Sequence, residues 1–347
     1  MHTRWRLGDR GPGNALYPVA FRSLRAIASA LLSRERPGAA GPFTLGAFCY
    51  SPGMNRRSFV GSIAVASSAA AQITPQPPLP PKAKITSSVM LWTLKGSFEE
   101  KLEIAGKAGI QSVELVGEHE KWTDADITRV KKLARSLGVA MDTISSTPQW
   151  KSRPISMVEP AQRENLVKEV ERQLVFAKKL EIPMALLMSG DAIPGRTYQE
   201  QWSSLVEGCK RCGDVAAKAG ITLIVEPLNT KVNHKGYYLE SCVEGLRLMK
   251  EVNHPHVRLL FDIYHEQVQL GDVTRTIQAT APYVKVFHIA DNPGRNDPGT
   301  GEMNYDNIYK AIKRTGYEGY ITMEYIPLGD PVKSLEKAVN SMRSSLA

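Results

Sequence analysis

Hydrophobic positions along most of the chain follow two alternating patterns. Short runs that are almost continuously apolar are typical of strands buried on both faces. Between them, apolar residues recur every three or four positions, as in amphipathic helices. The predicted strands are 84–94, 112–116, 139–145, 184–190, 222–226, 258–262, 284–291 and 320–325. The predicted helices are 98–109, 124–137, 160–180, 198–219, 239–252, 272–280, 304–315 and 333–345.

Eight strands and eight helices in strict alternation predict an α/β fold of the (β/α)₈ TIM-barrel type over residues 84–347. Glycines directly after four of the predicted helices support the assigned ends, because glycine commonly terminates a helix. They are Gly109, Gly138, Gly220 and Gly316. A doubly wound parallel sheet is the alternative, although such sheets usually have fewer strands.

The first 83 residues differ from the rest in composition. Residues 1–53 are rich in Arg, Gly and Pro and show no periodic pattern, so we expect a non-native or disordered extension, with Met54 as the natural start. Residues 54–71 contain adjacent arginines, a short apolar stretch rich in Ala and Ser, and three final alanines. This pattern resembles a twin-arginine signal peptide with a small-residue cleavage site. Residues 72–83 are Pro-rich and predict a stiff linker.

The signal predicts a periplasmic or otherwise exported protein. If the arginine pair only precedes an Ala-rich linker by chance and the signal is not used, the protein is cytoplasmic. The apolar stretch is too short to remain in a bilayer as a spanning helix. We therefore expect no membrane association after the signal is removed.

The basic charge of the chain belongs mainly to this leader. Residues 1–71 contain nine arginines against Asp9 and Glu35, which accounts for +7 of the net charge of +9. The remainder is nearly balanced, so the charge does not indicate a nucleic-acid partner.

Charged side chains occur near the carboxyl ends of the last four predicted strands. They are Glu226, Asp262, His288 and Glu324, separated by 36, 26 and 36 residues, or one βα unit each. The carboxyl ends of barrel strands form one rim, where active sites lie. Three carboxylates and an imidazole close together favour a bound cation, because they otherwise repel. These ligands suit Mn²⁺ or Mg²⁺, with Co²⁺ or Zn²⁺ as further candidates. Alternatively, the acids are surface loop residues and His288 is a core histidine.

Several motifs resemble the xylose-isomerase-like TIM-barrel superfamily and, within it, the hydroxypyruvate isomerase family. They are Ile289–Tyr305, Glu226-Pro-Leu-Asn229, Phe261-Asp-Ile-Tyr-His265 and Met323-Glu-Tyr325. The resemblance implies four metal ligands: Glu226, Asp262, His288 and Glu324. It also implies that Glu226 and Glu324 are the acid/base carboxylates and that His265 and Arg295 contact substrate.

Two positions depart from the bacterial hydroxypyruvate isomerases. His288 stands where these enzymes often have Gln, and in this respect the chain resembles ketose 3-epimerases. Those epimerases carry a further Glu six residues after the strand-five Glu, where this chain has Val232. The first departure favours an epimerase and the second an isomerase.

The sequence therefore predicts an intramolecular oxidoreductase that moves a proton between adjacent carbons of an α-hydroxy carbonyl compound through an enediolate. The expected partner is a small sugar or 2-oxoacid, with hydroxypyruvate, converted to tartronate semialdehyde, as the first candidate. A ketose 3-epimerase, a non-catalytic sugar-binding barrel and a barrel that cuts damaged nucleic acid are the alternatives. The last would need more histidines on strands two, three and six. Whether the chain forms a homo-oligomer is open.

Weaker candidates are Glu114 and Trp92, near the ends of strands two and one, which either line the pocket or are structural. The four remaining histidines of the predicted barrel are expected on the surface: His119, His234, His254 and His256.

Overall fold

A computed structural model describes residues 84–347 of the chain. The predicted N-terminal extension (1–53), signal peptide (54–71) and linker (72–83) lie outside the described residues. No helix among the described residues is long and apolar enough to cross a membrane.

Eight parallel strands form a closed barrel in which each strand pairs with the next and the eighth pairs with the first. The strands are β1 (Ile85–Met90), β2 (Ser112–Leu115), β3 (Ala140–Ser145), β4 (Met184–Leu187), β5 (Thr222–Val225), β6 (Val257–Asp262), β7 (Val284–Ile289) and β8 (Gly319–Met323). The predicted TIM barrel is confirmed, and the alternative of an open doubly wound sheet is wrong. Both faces of the sheet are buried, as is usual for parallel sheets.

Helices surround the barrel. They are α1 (Phe98–Lys107), α2 (Asp124–Ser136), α3 (Arg163–Leu180), α4 (Tyr198–Ala219), α5 (Cys242–Val252), α6 (Ile263–Gln269), α7 (Val273–Thr280), α8 (Tyr305–Arg314) and α9 (Pro331–Leu346). Side-chain caps set several of their starts. In α1, α2 and α4, a Ser or Thr accepts from the backbone N–H three positions on, where an acidic side chain bonds back. These reciprocal bonds satisfy backbone N–H groups that the first helical turn leaves free.

Helix α6 is absent from the predicted alternation. It begins directly after β6, where the Asp262 side chain accepts a hydrogen bond from the backbone N–H of His265 at 3.0 Å. It ends after seven residues, ahead of Gly271, whose φ is +72°. A helix of two turns is too short to show a clear helical period in the sequence.

Candidate active site

The four charged residues at the strand ends lie together in the structure. One ligand atom from each of Glu226, Asp262, His288 and Glu324 lies within 4.8 Å of those of the other three. All four side chains are buried, and none is more than 6% exposed. The structure thus brings together every residue that the sequence analysis proposed as a metal ligand.

Strand register explains the grouping. Asp262, the last residue of β6, pairs with His288 on β7, and His288 pairs with Thr322 on β8. Glu324 follows Thr322 by two positions, and its backbone N–H donates to the carbonyl of Ile289. Because adjacent parallel strands end at the same rim, the side chains at these levels converge.

Burial raises the pKa of each carboxyl group, and neighbouring charges then shift each one differently. Burial, reinforced by Glu324, raises the pKa of Glu226 well above its usual value. Burial raises the pKa of Asp262 to about 7 despite the nearby Arg295. Burial also raises the pKa of Glu324, but Arg295 and His288 outweigh it and hold that pKa below its usual range.

His288 contacts acidic groups through both ring nitrogens. Nδ1 lies 2.7 Å from Oε2 of Glu324 and 3.6 Å from Oε1 of Glu226. Nε2 lies 3.1 Å from Oε2 of Glu114, on β2. Burial lowers the pKa of His288, but Glu114 and Glu324 raise it by more, so the net pKa is well above the usual value.

The group is suited to a divalent cation. Oε1 of Glu226 is buried and has no hydrogen-bond partner among the described residues. An unpaired buried carboxylate oxygen is costly unless a proton or cation satisfies it. Three carboxylates and one imidazole are the oxygen-rich ligands that Mn²⁺ and Mg²⁺ accept.

Arg295 closes one side of the cluster. Its Nη2 lies 2.8 Å from Oε2 of Glu324 and 3.2 Å from Oδ2 of Asp262. Its loop is anchored by hydrogen bonds from the Arg295 N–H to the carbonyl of Asp291 and from the Ile326 N–H to the carbonyl of Arg295. The Nε atom of Arg295 is buried without a partner among the described residues. One N–H therefore remains available to a ligand.

His265 occupies the first turn of α6 and is only 2% exposed. Its Nδ1 lies 2.5 Å from Nδ2 of Asn229, an amide donor, so Nδ1 is the acceptor and Nε2 carries the hydrogen. Burial, helped by Arg295, holds the pKa of His265 well below its usual value. Nε2 has no hydrogen-bond partner in the described part of the chain, which leaves a donor for a ligand.

A cavity of about 270 Å³ opens onto the cluster. Glu226, Glu324, His265 and Arg295 line its polar side. The remaining wall is mainly apolar or aromatic and includes Met90, Trp92, Val116, Trp150, Leu186, Met188 and Leu228. A few polar groups in a largely apolar cleft are typical of a small-molecule site.

Three further residues lie in this region: the weaker candidates Glu114 and Trp92, and His234, which is half-buried rather than on the surface as predicted. Glu114 contacts His288, and Nε1 of Trp92 donates to Oε1 of Glu324 at 3.0 Å. His234 lines the cavity, and burial, assisted by Arg295, lowers its pKa to about 4. The only sequence signal for Glu114 and Trp92 is their position near a strand end, which many structural residues share.

The surface assignments of the other histidines need correction. His119 is fully buried, with Nε2 2.6 Å from Oε1 of Gln173, so its predicted surface position is wrong. His254 and His256 are half-buried at the opposite end of β6, away from the cluster. Polar neighbours in the sequence predict exposed loops at these positions, but tertiary contacts cover the rings.

Comparisons with known proteins agree with the fold. The sequence model of the xylose isomerase-like TIM barrel family matches residues 102–345 of the chain. The chain is 26% identical over 242 residues to the putative hydroxypyruvate isomerase of Homo sapiens, covering 68% of this chain and 86% of that protein. It is 29% identical over 234 residues to the hydroxypyruvate isomerase of Escherichia coli, covering 66% and 88%. It is 26% identical over 234 residues to the 2-oxo-tetronate isomerase of Pectobacterium atrosepticum, covering 67% and 87%.

Solved structures show the same architecture. A family 2 AP endonuclease from Brucella melitensis superposes with a TM-score of 0.66 at 26% identity, over 74% of this chain and 98% of that one. D-psicose 3-epimerase from Clostridium cellulolyticum, solved with D-tagatose, gives a TM-score of 0.66 at 18% identity, over 75% and 99%. The second likeness concerns the fold alone.

Proposed function

The chain belongs to the xylose isomerase-like TIM barrel family, and from this membership we propose that it is a metal-dependent isomerase acting on a small α-hydroxy carbonyl compound. The enzyme moves a proton between adjacent carbons of the substrate. The observation that carries the proposal is the buried group of Glu226, Asp262, His288 and Glu324 beside a small cavity. The curated relatives described above are named isomerases, which supports the reaction class.

The four-residue group would hold the cation, with Mn²⁺ or Mg²⁺ preferred on the chemistry of its ligands. When bound, the cation supplies a Lewis acid that polarises the substrate carbonyl and makes the neighbouring C–H more acidic. Its positive charge would also reduce the repulsion among the three buried carboxylates.

Glu226 and Glu324 are the proposed proton carriers. Both line the cavity, so both lie within reach of a small molecule bound there. One glutamate removes the proton from carbon and the other returns a proton to the adjacent carbon. General acid–base transfer of this kind contributes about 10²–10⁴-fold to a rate.

Arg295 and His265 are the proposed substrate-binding residues. Each has a buried N–H without a partner among the described residues, at Nε of Arg295 and Nε2 of His265. Substrate oxygens would satisfy both donors, and the planar guanidinium suits a carboxylate in particular. This arrangement favours hydroxypyruvate or a similar short 2-oxo sugar acid as the substrate.

The test is proton exchange at the substrate carbon. Metal-free protein is incubated in deuterated buffer with hydroxypyruvate, a four-carbon 2-oxo acid or a ketose, with and without Mn²⁺. NMR follows loss of the carbon-bound proton and formation of product. We expect Mn²⁺-dependent exchange that Glu324→Gln reduces by at least about 10²-fold while the circular dichroism spectrum is unchanged. Tight sugar binding without exchange in any substrate would support a non-catalytic binding barrel instead.

A ketose 3-epimerase is the second candidate, since His288 resembles that group. Val232, where those enzymes carry a further Glu, is 68% exposed and is not among the residues that line the cavity. The same experiment separates the two reactions. An epimerase inverts the configuration at C3 of a ketose, whereas an isomerase relocates the carbonyl group.

The residues present do not support an AP endonuclease activity like that named for the Brucella melitensis relative. Among residues 84–347, the four-residue group is the one cluster of His, Cys, Asp and Glu side chains with a metal-binding arrangement. A multi-metal nuclease site would need further histidines at the ends of β2 and β3, where Glu114 and Ser145 stand, and the predicted enzyme part of the chain is nearly neutral. We therefore propose no nucleic-acid partner.

A further inference from the structure

We propose that Glu114 is a positioning residue of the site and that it acts through His288. Its carboxylate accepts the hydrogen on Nε2 of His288 and leaves Nδ1 directed at Glu226 and Glu324. This inference rests on the proposed cation site. It assigns a role to Glu114, which is not one of the four proposed ligands.

The contact crosses the interior of the barrel. Glu114 lies on β2 and His288 on β7, 174 positions apart, yet Nε2 is 3.1 Å from Oε2 and 3.3 Å from Oε1. Both side chains are fully buried. Water has no access to replace this contact, so loss of the acceptor leaves a buried N–H unsatisfied.

A third residue holds the carboxylate in place. Oγ1 of Thr322 donates to Oε1 of Glu114 at 2.6 Å, and Thr322 pairs with His288 in the register of β7 and β8. The acceptor and the ring it contacts are thus anchored to adjoining strand positions. Glu114 has little freedom to turn away from Nε2.

The chemistry of the ring then determines which nitrogen can bind a cation. A carboxylate only accepts, so the nitrogen that faces it must carry hydrogen. Without a cation, Nδ1 faces the carboxylates of Glu226 and Glu324 and carries hydrogen as well. A cation held by these carboxylates would replace the hydrogen on Nδ1, so that the lone pair of the neutral imidazole on Nδ1 would be its ligand while Nε2 keeps its hydrogen for Glu114. An acceptor behind a metal-bound histidine fixes its tautomer and increases its basicity, and removing it typically costs about 10–100-fold in metal affinity.

Glu266 provides a matched control. It is another buried acid, on α6 and 2% exposed, but it accepts a hydrogen bond from the backbone N–H of Cys242 at 2.7 Å rather than from a proposed ligand. Glu266→Gln removes a buried acid of similar exposure without touching His288 or Glu114.

The experiment measures Mn²⁺ binding by full-length protein, using the electron paramagnetic resonance signal of free Mn²⁺, so that it does not depend on turnover. We expect Glu114→Ala to raise the Kd for Mn²⁺ about 10–100-fold. Glu114→Gln keeps an oxygen that can accept from Nε2 and should raise it less, about 3–10-fold. Glu266→Gln should remain within about twofold of wild type.

A second readout reports the tautomer. In ring-¹⁵N-labelled protein loaded with Mg²⁺, His288 should show one protonated nitrogen, assigned to Nε2, and Glu114→Ala should lose or mix this signature. If Glu114→Ala is unfolded by circular dichroism, Glu114→Gln supplies both measurements. Unchanged Mn²⁺ affinity and an unchanged tautomer in a folded variant would overturn the role of Glu114 alone. Absence of Mn²⁺ binding by wild type would overturn the proposed function as well.

Discussion

Trp92 shows how a single hydrogen bond can connect a rim residue to the proposed chemistry. Its ring is 40% exposed at the cavity mouth, while Nε1 donates to Oε1 of Glu324. A donor on a carboxylate makes that group a weaker base but also orients it. Trp150 lines the same cavity, but its Nε1 makes no hydrogen bond within the described residues. Substituting each tryptophan in turn therefore separates the effect of losing the indole ring from the effect of losing the hydrogen bond to Glu324.

Trp92→Phe is expected to lower kcat about 10-fold, because a hydrogen bond to a charged group contributes about 1.5–3 kcal/mol and Phe keeps only the aromatic wall. Trp150→Phe makes the same chemical change without a bond to Glu324 and should leave kcat within about twofold. Steady-state kinetics on the substrate identified by exchange would test this. Equal effects of the two substitutions would show that the Trp92 donor has no special role.

Among the elements, α5 and β6 pack closely enough to require a glycine. A Cβ at Gly245 on α5 would lie 2.7 Å from Cδ1 of Leu259 and 3.2 Å from Cγ of Pro227. Leu259 is fully buried on β6, the strand that ends at Asp262, so it has no open space in which to move. The absence of a side chain at Gly245 lets the helix approach the strand that carries a proposed ligand.

Gly245→Ala is expected to destabilise the protein by about 1–3 kcal/mol, the usual cost of overpacking a core. Gly208→Ala is the matched control, because Gly208 also lies within a helix, α4, and a Cβ there meets its nearest neighbour, Met157, at an ordinary contact distance of 3.6 Å. Urea denaturation followed by circular dichroism would compare the two. A Gly245 variant as stable as the control would mean that α5 can shift without cost.

At the scale of the whole molecule, the centre of the barrel concentrates acidic groups. Four carboxyl groups, on Glu114, Glu226, Asp262 and Glu324, surround His288 and Arg295 in a buried region. Burying like charges opposes folding unless they are neutralised. A bound cation would therefore stabilise the barrel as well as serve its chemistry.

We expect saturating Mn²⁺ to raise the melting temperature by about 5–10 °C. At 100 times Kd, a ligand that binds only folded protein stabilises it by about 2.7 kcal/mol. Asp262→Asn, which weakens one proposed ligand, should lose most of the increase. Scanning calorimetry with EDTA, Mn²⁺, or NaCl of matched ionic strength would measure it. An equal increase in NaCl would indicate general screening rather than a specific site.

Much of the fold could be predicted from the order of apolar and amphipathic segments, because each βα unit carries its own periodicity. The main departures are local. Helix α6 was missed because Asp262 caps a segment of only seven residues. The predicted first strand, 84–94, was too long, since β1 ends at Met90 and a 3₁₀ turn, Leu91–Thr93, follows. Apolar residues continue through that turn, so hydrophobicity alone does not mark the end of the strand.

The sequence by itself determined the barrel and the group of Glu226, Asp262, His288 and Glu324, because a repeating βα unit places equivalent strand ends at one rim. The tertiary structure decided which other residues contact that group. The contact of Glu114 with His288, the ion pairs of Arg295 and the burial of His119 join residues distant in sequence. These contacts depend on how the barrel closes and how its loops fold over the rim. The local periodicity of the sequence predicts neither, because it reports only which segments form helices and strands.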